Sequence, residues 1–106
     1  MNLNDAAENA FNTALLREKH GAVLKTREIL KHCAGEVIEA QQARDNWIAC
    51  GGDYEAQEKD DYAKELADVI ICVLIAAKHD SINIETAVNE KMQINAQRAA
   101  MQGDKL

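Results

Sequence analysis

Proline is absent from this sequence, and only five of its 106 residues are glycine. Residues that break helices are therefore scarce. Aromatics amount to 4% although 47% of the chain is hydrophobic, so a core must be built from Leu, Ile, Val and Ala. That composition, rich also in Glu, Lys and Gln, is helical. Long apolar runs are missing too. The longest, Leu66 to Ala77, is too short for the ~20 residues a bilayer requires. The N-terminal MNLNDAAEN lacks the basic and apolar blocks of a signal peptide, so a cytoplasmic protein is expected. Three cysteines (Cys33, Cys50, Cys72) are an odd number without CxxC spacing, which disfavours a disulfide framework or a zinc knuckle. Cys33 and Cys72 read as small core residues, and Cys50 as a thiol at a helix end. There is no excess of positive charge. The formal net charge of −6 disfavours a nucleic acid polymer or an anionic membrane as partner. A small anionic substrate remains compatible if a metal stands between the charges.

What is present is periodicity of one kind. Four helices are expected, over about residues 5–20, 26–49, 58–79 and 83–101, forming one all-α domain across 1–106. Asn4 and Asn83 are the expected N-caps and Gly21 the first stop. The first helix buries Ala7, Ala10, Phe11, Ala14 and Leu15. Gly35, inside the second, offers a place for a neighbour to approach closely. Gly51-Gly52-Asp53 marks a loop. From Leu66 to Ala77 every residue but Asp68 is apolar, so the third helix should be surrounded on all sides. One chain this short hardly supplies enough partners, which predicts self-association near that helix.

Asp68 is the anomaly in that segment. An unpaired buried carboxylate costs several kcal/mol, so it should be protonated, paired or metal-bound. It belongs to one of two acid pairs, Glu36/Glu39 in GEVIEA and Glu65/Asp68 in KELADV. Each has i, i+3 spacing, which puts both carboxylates on one flank of a helix. The pairs lie at similar depths on either side of the loop. An antiparallel hairpin would bring four carboxylates into one cleft, where they cannot all stay ionised without a cation. Oxygen donors without a histidine at either i+3 position suggest Mg²⁺, with Mn²⁺ as the alternative, and exclude the ferritin-like Glu-x-x-His pattern. On the fourth helix Ile84, Val88, Lys91, Asn95 and Arg98 form a stripe, apolar first and polar afterwards. Folded against the third helix, it would place Lys91, Asn95 and Arg98 opposite the acids, which suits a metal-bound polyphosphate. The plainer reading of these charges is a row of intramolecular salt bridges.

The ordered set GEVIEA, KELADVIICVL and EKMQINAQR resembles the MazG-like family of all-α nucleoside triphosphate pyrophosphohydrolases. Glu36-x-x-Glu39, a gap over residues 40–64, Glu65-x-x-Asp68 and then Lys91-x-x-x-Asn95-x-x-Arg98 match its pattern across about residues 26–100. The first helix matches only in kind. The resemblance implies a four-helix bundle completed by dimerisation, as a dimer or a dimer of dimers (homodimer or homotetramer). It implies cleavage of the α–β phosphoanhydride of a (deoxy)nucleotide to monophosphate and pyrophosphate, a house-cleaning activity. Glu36, Glu39, Glu65 and Asp68 would bind Mg²⁺, while Lys91, Asn95 and Arg98 would contact phosphates or sugar. Glu36 or Glu39 would orient or deprotonate the attacking water.

Trp47 lies on roughly the flank of Glu36 and either stacks on a base or packs in the core or interface. His32, one turn before Glu36, either touches substrate or hydrogen-bonds a glutamate. Tyr54 and Tyr62 are weaker candidates for the base, and Lys25, Arg27 and Lys31 for phosphate. The rival readings are phosphoribosyl-ATP pyrophosphohydrolase or dUTPase within the same superfamily, and a non-catalytic helical dimerisation or regulatory module.

Overall fold

In the computed structural model, which describes residues 2–17, 25–52 and 54–102, the chain forms four helices: α1 Leu3–Arg17, α2 Thr26–Ala49, α3 Glu55–His79 and α4 Ile84–Gln102. No strand occurs among the described residues, in keeping with an all-α protein. The second helix has the expected bounds, whereas α3 begins at Glu55 rather than near 58. Its first turn carries Glu55 and Glu58, which favour a helix N-terminus, and its last carries Lys78 and His79. Residues 18–20 and Gly21, the expected end of the first helix, lie outside the described residues.

The N-termini of α1 and α4 hold each other. Asn2, not Asn4, caps α1: its side-chain oxygen accepts the Asp5 N–H at 2.8 Å. Asn83 caps α4 as expected, accepting from the Thr86 N–H at 3.0 Å. Asn4 is used between helices instead. Its amide donates to Asn83 Oδ1 at 2.9 Å, and its oxygen accepts the Glu85 N–H at 3.2 Å. The Glu85 carboxylate in turn accepts the Leu3 N–H at 2.7 Å. Orphan donors of two helix ends are thus satisfied reciprocally.

Helix α3 ends in a Schellman arrangement. The Ile82 N–H donates to the Ala77 carbonyl (2.9 Å) and the Ser81 N–H to that of Lys78 (3.1 Å). Ser81 takes the left-handed position, with φ 57°, where glycine is the unstrained residue. Ser81→Gly should therefore raise stability by about 1 kcal/mol, measured as a shift in urea midpoint. An unchanged or lower midpoint would show that the serine is not strained there.

Helices α2 and α3 form an antiparallel hairpin. Ile29 and Cys33 pack with Cys72, Ile75 and Ala76 at one end, and Trp47 stacks on Tyr62 at the other. The core is small and, as expected, holds both Cys33 and Cys72. Helix α1 runs antiparallel to α3, with Phe11 edge-on to His79. Of its expected stripe, Ala7 is buried, Ala10, Phe11 and Ala14 are half-buried, and Leu15 is exposed.

As expected, the single chain does not surround α3: Leu66, Ile70, Ile71 and Val73 are exposed. Two expectations about packing need correction. First, Asp68 is exposed rather than buried in the apolar segment. Three helices cannot encircle a fourth when one of them barely touches it. Second, α4 does not fold along α3 as a hairpin partner: it meets α1 and α3 only sparsely. The radius of gyration is 16.8 Å, against about 13 Å for a compact domain of this length. The exposed area of 8150 Å² compares with about 5,900 Å² for a compact monomer of this mass. Nor is Gly35 used for close approach within the chain, because a Cβ there would meet nothing within 4 Å.

Candidate functional site

The helical hairpin brings three of the four predicted acids together. One oxygen each from Glu36, Glu65 and Asp68 falls within 4.8 Å of the others. The i, i+3 spacing on α3 sets Glu65 and Asp68 on one flank, and the antiparallel register puts Glu36 of α2 opposite them. Glu39 lies beside this group and is exposed, yet its charge is felt by both Glu36 and Glu65. Glu36 and Glu65 are half-buried. Their Oε2 atoms are shut off from solvent, and neither has a hydrogen-bond partner among the described residues.

The electrostatics follow from that crowding. Desolvation raises the Glu36 carboxyl above its ordinary 4.5, and neighbouring Glu39 and Asp68 push further, while His32 opposes them. Glu65 is raised by desolvation first, then by Glu39, Asp68 and Asp61. Folding thus favours the protonated forms. The native state binds more protons than the unfolded chain from pH 4.5 up to the raised values. Stability must fall as pH climbs through that window. In chelator, the urea midpoint should drop as pH rises above 4.5. A rising midpoint would contradict the crowding.

Three carboxylate oxygens at mutual distances under 5 Å, one of them from the exposed Asp68, are a donor set for a hard divalent cation. Glu36, Glu65 and Asp68 fit such an ion, whereas Glu39 acts on the two glutamates through its charge.

The remaining predicted residues are distributed differently. His32 Nε2 is 3.0 Å from Glu36 Oε1, so it hydrogen-bonds a glutamate, with its own ring mostly exposed. Trp47 is half-buried at the loop end of the hairpin. Tyr62 stacks on it at 5.9 Å, and Lys59 Nζ lies 5.8 Å from its ring. Tyr54 is 70% exposed, and Lys25, Arg27 and Lys31 are exposed as well. Lys91, Asn95 and Arg98 do not line a cleft with the acids inside one chain, because α4 does not lie along that part of α3. Lys91 and Arg98 are exposed and Asn95 is half-buried.

The structure adds features that spacing did not reveal. An open groove of about 390 Å³ between α1 and α3 has Asp68 on one wall and Asn9, Thr13 and Arg17 on the other, floored by Ala10, Ala14 and Ile75. Its only sequence signal is the run of small residues at helical spacing on α1. Cys72 sits one turn after Asp68, against Cys33. Burial and that neighbouring thiol push its pKa up to about 12.

Comparison with family models, with characterised proteins and with solved structures gives no match to this chain.

Proposed function

We propose that the chain is a Mg²⁺-dependent nucleotide pyrophosphohydrolase of the MazG-like kind, splitting (deoxy)nucleoside triphosphates into monophosphate and pyrophosphate. The observation that carries this reading is the convergence of Glu36, Glu65 and Asp68 from two helices, with two buried oxygens unpartnered. Salt-bridged surface acids would have basic partners. Among the described residues these have only His32.

In this reading Glu36, Glu39, Glu65 and Asp68 hold the cation. When bound, it neutralises phosphate charge and polarises the phosphorus–oxygen bonds. Glu36 or Glu39 would orient or deprotonate the attacking water as a carboxylate beside the cation. The groove beside Asp68 has the volume of a small-ligand site, with Asn9 and Thr13 as polar contacts and Arg17 as an anion partner.

Self-association completes the site. An excess of roughly 2,000 Å² per chain over a compact monomer is in the range that obligate homodimers bury. The α4 helix exposes Met92, Ile94 and Met101, and its Lys91, Asn95 and Arg98 would serve acids on another copy. The test is pyrophosphate release from a panel of ribo- and deoxynucleoside triphosphates with Mg²⁺. At least one should be turned over, and addition of chelator should stop it. No release from any nucleotide with either Mg²⁺ or Mn²⁺ would refute the assignment.

A further inference from the structure

A second donor group adjoins the carboxylates and differs from them in chemistry. One ligand atom each from His32, Glu36 and Cys72 lies within 4.8 Å of the others. His32 and Glu36 are one turn apart on α2, already 3.0 Å from each other. Cys72 enters from α3, buried in the hairpin core. Glu36 Oε2 is enclosed and has no hydrogen-bond partner among the described residues. Imidazole, carboxylate and thiolate together are not a hard-cation set. They are the donors that Zn²⁺ and its neighbours select.

We propose that His32 Nε2, the Glu36 carboxylate and Cys72 Sγ bind a borderline divalent cation of the Zn²⁺ class, leaving one exchangeable coordination position. Zn–ligand lengths of ~2.0–2.3 Å set tetrahedral donors roughly 3.5 Å apart, so the group must close by about 1 Å. His32, with its side chain 69% exposed, is free to rotate inward, while Glu36 and Cys72 stand on two packed helices. Binding exchanges the Cys72 S–H bond for an S–metal bond, and the proton goes to solvent. The Cys33 thiol, packed with Cys72 in the hairpin core, remains beside the sulfur. The site shares Glu36 with the cluster of the proposed function, but no nucleotide takes part, so Co²⁺ binding tests it apart from the hydrolase reading.

Co²⁺ is the probe, added to the metal-free full chain carrying Cys50→Ser to remove the third thiol. A near-ultraviolet thiolate-to-cobalt charge-transfer band should appear, with visible bands of four-coordinate intensity. Equimolar Zn²⁺ should abolish them. Cys72→Ser should remove the charge-transfer band, and His32→Gln should weaken Co²⁺ binding at least tenfold. Absence of the band, or its survival in Cys72→Ser, overturns the proposal. If Cys72→Ser fails to fold by circular dichroism, the exposed His32→Gln decides, and unchanged Co²⁺ affinity there is equally fatal.

Discussion

Asp68→Asn, and separately Glu39→Gln, will reduce pyrophosphate release by at least ~100-fold while leaving the helical circular dichroism intact. The size follows from position. Substitutions one shell beyond a metal ligand typically cost 10–100-fold, so loss of a ligand should cost more. Neither change should disturb folding, since both side chains are exposed and neither fills the core. Asp68→Asn also removes a negative charge that helps raise Glu36 and Glu65. The metal-free variant should therefore be no less stable than the parent. Mg²⁺ should stabilise the parent against heat through preferential binding to the native state, and stabilise Asp68→Asn much less. Parental turnover in both variants would remove these carboxylates from the site.

Ile70→Asp will shift the protein from an oligomer to a species at the 11.7 kDa chain mass in sedimentation. Leu66, Ile70 and Val73 follow one another at helical spacing on α3, and each is more than 40% exposed in the single chain. Such a stripe on the most apolar segment is the face that self-association would bury. A lone aspartate there would be an uncompensated buried charge, costing about 3 kcal/mol or more, which is a loss of at least ~100-fold in Kd. Turnover should fall with it if α4 of one copy serves the acids of another. A parent protein already sedimenting as a single chain would disprove the interface.

The hairpin was legible because its signals are local. Glycines punctuate the loop, the i, i+3 spacing fixes a helix flank, and equal distances from the loop fix the register. Hence the meeting of Glu36 with Glu65 and Asp68 could be read from residue numbers. The place of α4 could not. Its stripe of Ile84, Val88, Lys91, Asn95 and Arg98 is the same whether it packs on its own α3 or on a neighbouring molecule. Asn4 likewise looked like a cap, and a cap and an inter-helix bridge demand the same side chain. The proximity of Cys72 to His32 joins residues on different helices, one exposed and one buried.

By itself the sequence determined the helices, the loop between the acid pairs and the flank on which each carboxylate stands, because backbone hydrogen bonding and the 3.6-residue period act within a few residues. Tertiary structure alone decided that Glu39 stands beside the cluster, that Asp68 borders an open groove and that α4 lies away from the acids. Those outcomes depend on which apolar faces find each other, and one chain contains more such faces than it can cover.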